Sequence, residues 1–269
     1  MLDLIALDKD GRPVADLKPE ELRLFENKGE VKIKSLSPAA REPLTIGLFF
    51  DVSGSRRADK YIEDETRLAN ELVHSIWRAG DTAFLVGFGE RVVVVTQPTH
   101  EPEEIDEGLK QIPGGYWGST ALYDALCLVL KPEKLADIPG RKVYVVLSDF
   151  EDNASRHSAK DVLDVARRGG VSIFPVILSV DFGGGYSKRN EKRSSEQAHK
   201  IADETGGEVL IPESQKQLAM IFQRLASDLQ SAYRLTYQPT SATSQDKSKR
   251  DKIRLETTRG YLRLIYPKE

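Results

Sequence analysis

The chain has 269 residues, and 39% of them are hydrophobic, which is enough for a buried core and excludes general disorder. Its 39 Lys and Arg against 42 Asp and Glu leave a net charge of −3, so a strongly basic nucleic-acid-binding protein is excluded as a class. The single cysteine, Cys127, rules out an intrachain disulfide and a cysteine-rich zinc site.

The beginning of the chain shows short stretches typical of β-strands. Apolar and polar residues roughly alternate in 2–7, and the turn signal Asn27-Lys28-Gly29 separates two further candidate strands, 22–25 and 31–36. So few strands cannot bury a face alone. We therefore expect another part of the chain to complete this sheet.

From residue 44 to residue 232, apolar runs alternate with stretches of helical spacing. The runs are predicted as strands at 44–50, 83–88, 92–95, 143–147, 171–178 and 208–211, and the helices at 59–78, 103–111, 121–130, 159–168, 194–205 and 215–232. Runs without polar alternation are typical of strands buried on both faces. The predicted fold is α/β, with a doubly wound, mostly parallel six-stranded sheet. The run 92–95 follows its predecessor too closely for a crossover helix, so it should be an antiparallel edge strand.

The end of the chain again alternates like β-strands, at 233–237, 253–257 and 262–266. Together the two chain ends could form one small β-sandwich-like module. The predicted organisation is thus an N-terminal β-segment at 1–41, an α/β domain at 42–232 and a C-terminal β-segment at 233–269 that completes the module.

Polar side chains cluster where the predicted strands end. Asp51, Ser53 and Ser55 follow the first α/β strand, Thr120 precedes a helix, and Asp149 follows the strand 143–147. In a doubly wound sheet these positions share the carboxyl edge, where ligands bind. Oxygen donors without sulfur or imidazole suit a hard cation, although the same residue types are common in turns and helix caps.

These five residues resemble the metal-ion-dependent adhesion site of the von Willebrand factor type A family, Asp-x-Ser-x-Ser followed by Thr and Asp, without substitution. The similarity covers about 44–232. A looser similarity to a bacterial subfamily of related proteins with flanking β-segments rests on further segments: 8–14, 17–25, 120–126 and 259–261.

The resemblance implies a protein-binding module and not an enzyme. In the family, Ser53 and Ser55 would bind the cation directly, while Thr120, Asp51 and Asp149 would bind it directly or through water. The expected cofactor is Mg²⁺, or Mn²⁺ or Ca²⁺ in its place. The expected partner is a protein that offers an Asp or Glu side chain to the metal.

Four residues near these segments are further candidates. Asp124 lies four residues after Thr120, hence on the same helical face, and either supports the site or is an ordinary polar helix residue. Arg56 directly follows the first motif and could steer an acidic ligand, or could simply be solvated. Tyr116 and Trp117 precede Thr120 and could contact a partner or pack against their own loop.

Two other functions remain open at this stage. One is a Mg²⁺-dependent phosphoryl-transfer hydrolase with Asp51 as nucleophile, although such enzymes ordinarily carry a second acid where this chain has Ser53. The other is a non-catalytic scaffold subunit with a structural metal site. No apolar run approaches the ~18 residues of a membrane span. Family resemblance predicts a secreted or cell-envelope protein if an export signal has been removed, and a cytoplasmic location stays open.

Overall fold

The structure of the protein is a computed structural model that describes residues 1–39, 42–54, 62–112, 118–129, 140–178, 188–239 and 252–268, with the backbone alone for residues 188–191. The strands are β1 (Leu2–Leu7), β2 (Leu22–Glu26), β3 (Gly29–Val31), β4 (Ile33–Pro38), β5 (Leu44–Asp51), β6 (Thr82–Phe88), β7 (Val92–Thr99), β8 (Arg141–Ser148), β9 (Val171–Ile177), β10 (Tyr233–Tyr237), β11 (Ile253–Thr257) and β12 (Arg263–Ile265). The helices are α1 (Ile62–Ile76), α2 (Pro102–Leu109), α3 (Leu122–Val129), α4 (Ala159–Gly169), α5 (Lys188–Thr205) and α6 (Gln215–Gln230).

The central sheet has the strand order β7-β6-β5-β8-β9, with β5 in the middle. Both neighbours of β5 run parallel to it, and Phe49 lies opposite Val86 on one side and Val146 on the other. Every residue of β5 is buried, as expected for a strand covered by helices on both faces. β7 is antiparallel to β6 at the edge, so the predicted antiparallel edge strand is confirmed.

The predicted sixth strand is reduced to a single contact. Residues 208–211 make one parallel bridge, between Leu210 and Val176, and the N–H of Leu210 donates to the carbonyl of Pro175 at 2.8 Å. Pro212 follows at once, and it cannot extend the ladder because it has no N–H group. The structure therefore corrects the predicted count from six strands to five among the described residues. The α/β class and the mostly parallel sheet are confirmed.

Helices cover both faces of the central sheet. α1, α2 and α6 contribute to the core on one face, and α3, α4 and α5 to the core on the other. Along β5, Ile46, Leu48 and Phe50 face the first group while Phe49 faces the second, which is the period of two expected of a strand. The sheet is thus doubly wound, and its carboxyl edge is left for loops.

The two chain ends form a pair of antiparallel sheets with the orders β12-β1-β10-β4 and β11-β2-β3. They share a core to which both ends contribute, including Leu4 and Leu24 from the beginning of the chain and Leu235 and Leu255 from its end. Neither end could bury this core alone. The predicted small β-sandwich-like module is confirmed, while the exact domain boundaries stay predictions.

Strand β1 belongs to the cores of both units. Leu2, Leu4 and Ala6 point into the core of the β-module, and Ile5 and Leu7 contribute to the core of the α/β domain. Successive side chains of a strand point to opposite faces, so one strand can serve both. The β-module and the α/β domain are therefore packed against each other through shared apolar residues.

Candidate metal centre

Asp51 is the last residue of β5 and is 2% exposed, at the carboxyl edge of the sheet. Its Oδ1 accepts a hydrogen bond from the N–H of Ser53 at 2.9 Å. Its Oδ2 accepts one from the hydroxyl of Ser148, the last residue of the neighbouring strand β8, at 2.5 Å. The carboxylate is therefore held both by its own turn and by the adjacent strand. The side chain of Ser53 is fully buried in the same turn.

Asp149 follows β8 directly, and its charge acts on Asp51 because β5 and β8 are adjacent and parallel. Its Oδ1 accepts a hydrogen bond from the N–H of Glu151 at 3.0 Å. Burial raises the pKa of Asp51 to about 6, and the negative charge of Asp149 adds to this, while hydrogen bonds from Ser148 and Ser53 act in the opposite direction. A cation between the two carboxylates would stabilise their charged forms.

Thr120 lies just before α3 and is 2% exposed. Its segment is tied to the rest of the edge by backbone hydrogen bonds. The N–H of Gly54 donates to the carbonyl of Gly118 at 2.9 Å, and the N–H of Ala121 donates to the carbonyl of Gly89 at 2.9 Å. These bonds join the turn after β5, the β6–β7 connection and the start of α3. Thr120 is thus carried by a segment that is fixed to the loop of Ser53.

Asp124 anchors a loop. Its Oδ1 accepts hydrogen bonds from the N–H groups of Arg156 at 3.0 Å and His157 at 2.9 Å, and it pairs with the Nδ1 of His157 at 2.7 Å. Burial alone would raise the pKa of Asp124, but the hydrogen bonds from His157 and Arg156 lower it overall. These contacts favour the interpretation that Asp124 supports the edge, because it holds the loop after Asp149, over that of an ordinary polar helix residue.

Two residues of the edge were missed as functional candidates in the sequence. Ser148 bonds to Asp51, and the Oδ1 of Asn153 accepts the N–H of Thr120 at 2.8 Å. Phe150 between them has φ 61°, which is uncommon for an aromatic residue, and its N–H donates to the Ser148 hydroxyl at 2.9 Å. The available signal for Ser148 was its position directly after the predicted strand 143–147, whereas no pattern in the sequence marks Asn153.

Several predicted residues lie outside the described part of the chain. They are Ser55, Arg56, Tyr116 and Trp117. Their roles as metal ligand and as partner contacts stay predictions.

The described donors have the chemistry of a hard-cation site. Asp51 and Asp149 offer carboxylate oxygens, and Ser53 and Thr120 offer hydroxyl oxygens, all from buried residues. Mg²⁺, Mn²⁺ and Ca²⁺ prefer such oxygen ligands. In the ranges that the structure describes, no group of three or more His, Cys, Asp or Glu side chains could hold a metal ion. A site that joins Asp51 and Asp149 with the hydroxyls of Ser53 and Thr120 has only two side chains of those types, so this absence does not concern it, and its oxygen donors fit a hard divalent cation.

No family model matches the sequence, and no curated protein is similar to it at a significant level. Solved structures do match the fold. Proximal thread matrix protein 1 from the mussel byssus, in a structure with a zinc-occupied metal-ion-dependent adhesion site, has a TM-score of 0.57 and 17% identity, with 76% of this chain and 49% of that chain covered. A von Willebrand factor type A protein from Catenulispora acidiphila has a TM-score of 0.53 and 14% identity, over 84% of this chain and 49% of that chain.

A third match is covered almost completely by this chain. An aerotolerance-related membrane protein from Bacteroides fragilis has a TM-score of 0.51 and 14% identity, over 68% of this chain and 98% of that chain. This chain spans about half the length of the mussel and Catenulispora proteins. The chain has the fold of a von Willebrand factor type A domain, as the sequence resemblance predicted. None of the described helices is both long and apolar enough to cross a membrane.

Proposed function

We propose that the protein is a divalent-cation-dependent protein-binding module. Asp51, Ser53, Thr120 and Asp149 would hold the cation, together with Ser55, which the sequence motif adds. The observation that carries this proposal is the pair of buried carboxylates at adjacent strand ends, where the charge of Asp149 helps to raise the pKa of Asp51. Two buried anions with hydroxyl groups beside them form an environment that a cation would stabilise.

A partner protein would supply the remaining ligand. Two carboxylates among the described donors balance the charge of a divalent ion without exceeding it, and together with the hydroxyls of Ser53, Ser55 and Thr120 they fill only five positions of an octahedral shell, so a further oxygen can bind. An Asp or Glu side chain of the partner fits this requirement. The mussel protein shows that this fold can hold zinc at such a site, and the oxygen donors of this chain favour Mg²⁺ or Mn²⁺.

The same geometry favours binding over catalysis. The turn after β5 places Ser53 two residues after Asp51, where a phosphoryl-transfer hydrolase with an aspartate nucleophile ordinarily carries a second acid. Cys127 is buried on α3, and burial raises its pKa to about 12, so its thiol stays protonated and unreactive at neutral pH. We therefore propose that the edge recognises a ligand without turning it over.

Calorimetry with Mn²⁺ and Mg²⁺ tests the metal site. We expect binding by the wild type and its loss, by more than ~100-fold in affinity, in Asp51→Ala and in Thr120→Ala, because each change removes an oxygen next to the cation. The matched controls are Asp81→Ala and Thr205→Ala. Asp81 is a buried aspartate that accepts the N–H of Leu44 at 2.8 Å at the opposite end of the sheet, and Thr205 is a buried threonine at the end of α5.

In both controls the folded protein should bind Mn²⁺ with the affinity of the wild type, even if a smaller fraction of the protein is folded. Unchanged binding in both Asp51→Ala and Thr120→Ala would refute the assignment of the site. A pull-down from the native source with Mg²⁺ or with a chelator then tests the partner. Capture that needs Mg²⁺ and Asp51 supports the adhesion mechanism, whereas capture that ignores both would support a scaffold with a structural site.

We further propose an extracellular or cell-envelope location. Its support is the fold shared with the Bacteroides fragilis membrane protein. Fractionation of the native source, with an antibody against the β-module, would locate the protein, and a purely cytoplasmic signal would contradict the proposal.

A further inference from the structure

The loop that follows Asp149 wraps around the start of α3, which carries Thr120. Its side chains satisfy N–H groups that the first turn of a helix leaves without partners. The Oδ2 of Asp152 accepts the N–H of Tyr123 at 3.1 Å, and the hydroxyl of Ser155 accepts the N–H of Asp124 at 3.0 Å. Residues 152–157, which we call the clasp loop, therefore cap α3 from outside.

Within the clasp loop, Asn153 holds the backbone of Thr120 from both sides. Its Oδ1 accepts the N–H of Thr120 at 2.8 Å, and its own N–H donates to the carbonyl of Thr120 at 3.0 Å. The N–H of Ala154 donates to the same carbonyl at 3.1 Å. The other end of that peptide group is fixed as well, because the N–H of Ala121 donates to the carbonyl of Gly89. Both peptide groups around Thr120 thus have partners outside their own segment.

A fixed backbone determines the direction of a threonine side chain more strictly than that of most other side chains. Threonine is branched at Cβ and has few allowed χ1 rotamers, so the position of its main chain largely sets where Oγ1 points. Asn153 lies only four residues after Asp149 in the sequence. One loop therefore carries a proposed ligand at its start and the support of a second proposed ligand a few residues later.

We infer that Asn153 is a positioning residue for the metal site. It would set the direction of the Thr120 hydroxyl and so raise the affinity for the cation without contacting it. This inference rests on the proposed function, since it assigns Asn153 a role in that same site. If Asn153 only capped the helix, its loss would lower stability and leave the metal affinity of the folded protein unchanged.

The test compares three variants with the wild type. Asn153→Ala removes the acceptor for the Thr120 N–H but keeps the two main-chain bonds to the Thr120 carbonyl, and Asn153 is exposed, so the variant should fold. Asn153→Asp keeps an acceptor oxygen. Ser158→Ala is the matched control, because it removes the N-cap of α4, which accepts the N–H of Asp161, without touching Thr120.

Two readouts separate the possible outcomes. Hydrogen exchange of the Thr120 amide in a chelator reports on the contact alone, and Mn²⁺ calorimetry reports on the site. We expect faster Thr120 exchange and at least ~10-fold weaker Mn²⁺ binding in Asn153→Ala, which is the usual effect of losing an outer support of a metal ligand. Asn153→Asp should restore slow exchange and bind Mn²⁺ at least as well as the wild type. Ser158→Ala should lose stability and keep its affinity.

The inference fails separately from the proposed function. Wild-type affinity in Asn153→Ala would overturn it and leave the metal site standing, and so would an equal loss of affinity in Ser158→Ala. A wild type that does not bind Mn²⁺ would refute the proposed function and the inference with it, whatever the amide exchange shows.

Discussion

The side chain of Tyr144, in strand β8, is fully buried in the core between the central sheet and helices α3, α4 and α5. Its ring lies 5.1 Å from the ring of Phe49 and 5.2 Å from that of Phe84, measured between centroids. Within the described residues the hydroxyl has no hydrogen-bond partner, and burial raises its pKa. Gly47 makes room for this cluster, because a Cβ there would lie 2.4 Å from the Cζ of Phe84. The cluster is thus tightly packed around an unsatisfied polar atom.

Removal of this hydroxyl should stabilise the protein. An unpaired buried hydroxyl costs about 1–3 kcal/mol, and phenylalanine keeps the ring contacts. We expect Tyr144→Phe to raise the free energy of unfolding by about 1 kcal/mol in urea titrations. Tyr233→Phe is the opposite control, since that hydroxyl accepts the N–H of Leu17 at 3.0 Å and donates to the carbonyl of Val14 at 2.9 Å. It should lose about 1–2 kcal/mol, and a destabilised Tyr144→Phe would contradict the assignment.

A proposed metal ligand can be picked out of the sequence where its assignment depends only on residue type and on position near the end of a strand. Asp51, Ser53 and Asp149 each stand at the end of a strand that its apolar run made visible. Asn153 could not be found in this way, because its partner Thr120 is 33 residues away and accepts or donates through its main chain. A contact between a side chain and a distant peptide group leaves no pattern in a single sequence.

The strands that the sequence predicts best are those with a long, uninterrupted apolar run. β5 and β8 are long apolar runs and were found, and the short connection to β7 fixed its antiparallel direction. Residues 208–211 look like the other strands in composition, but Pro212 stops their pairing after one bridge. The sequence predicted that the two chain ends form one β-module, but not which strands pair. The pairing depends on contacts distant in sequence, such as that of Leu2 with Leu235.

Helix α6 contains a buried carboxylate that should make the stability of the protein depend on pH. Asp228 is 2% exposed, and its Oδ1 has no hydrogen-bond partner among the described residues. Burial raises its pKa to about 6, Glu208 adds to the effect, and Arg224 and Arg263 act against it. In the unfolded chain an aspartate titrates near 3.9. Between about pH 4 and pH 6 the folded state therefore holds a proton that the unfolded state has lost.

The sign of the resulting dependence follows from this difference. The contribution of Asp228 to stability decreases as pH rises from 4 to 6 and stays unfavourable above that range. We expect Asp228→Asn to be more stable than the wild type at pH 7.5, by a margin on the order of 2 kcal/mol, and the margin should shrink towards pH 4. Urea titrations at pH 4.5, 6.0 and 7.5 would measure it.

Helix α4 offers a control of opposite sign. The N–H of Ser158 donates to Asp161 at 2.8 Å, and this bond lowers the pKa of Asp161. Its charged form therefore stabilises the fold at neutral pH and ceases to do so in acid. Asp161→Asn should be less stable than the wild type at pH 7.5, with the difference shrinking as pH falls. A margin for Asp228→Asn that grew towards pH 4 would contradict the account of α6.

The two units of the molecule are joined by a buried arginine as well as by the strand β1. Arg141, at the start of β8, is 4% exposed. Its Nε donates to Asp3 in β1 at 3.2 Å, and its Nη1 donates to the carbonyl of Leu229 in α6 at 2.9 Å. Asp3 in turn pairs with Arg234 of β10 at 2.5 Å. Both an apolar and an ionic contact therefore cross between the α/β domain and the β-module.

Because the units share β1 and this arginine, they should unfold together. Leu24 is fully buried in the core of the β-module only, and Leu48 is fully buried in the core of the α/β domain only. Each replacement by alanine should cost about 2–5 kcal/mol. In a single cooperative unit, Leu24→Ala would lower the hydrogen-exchange protection of β6 as much as that of β2, and Leu48→Ala would do the same. Mass spectrometry of peptides from β2 and β6 would measure the protection of both strands.

If Leu24→Ala lowered the protection of β2 and left that of β6 unchanged, the β-module would be an independent domain. The contacts of Ile5 and Arg141 would then be too weak to make the two units unfold as one.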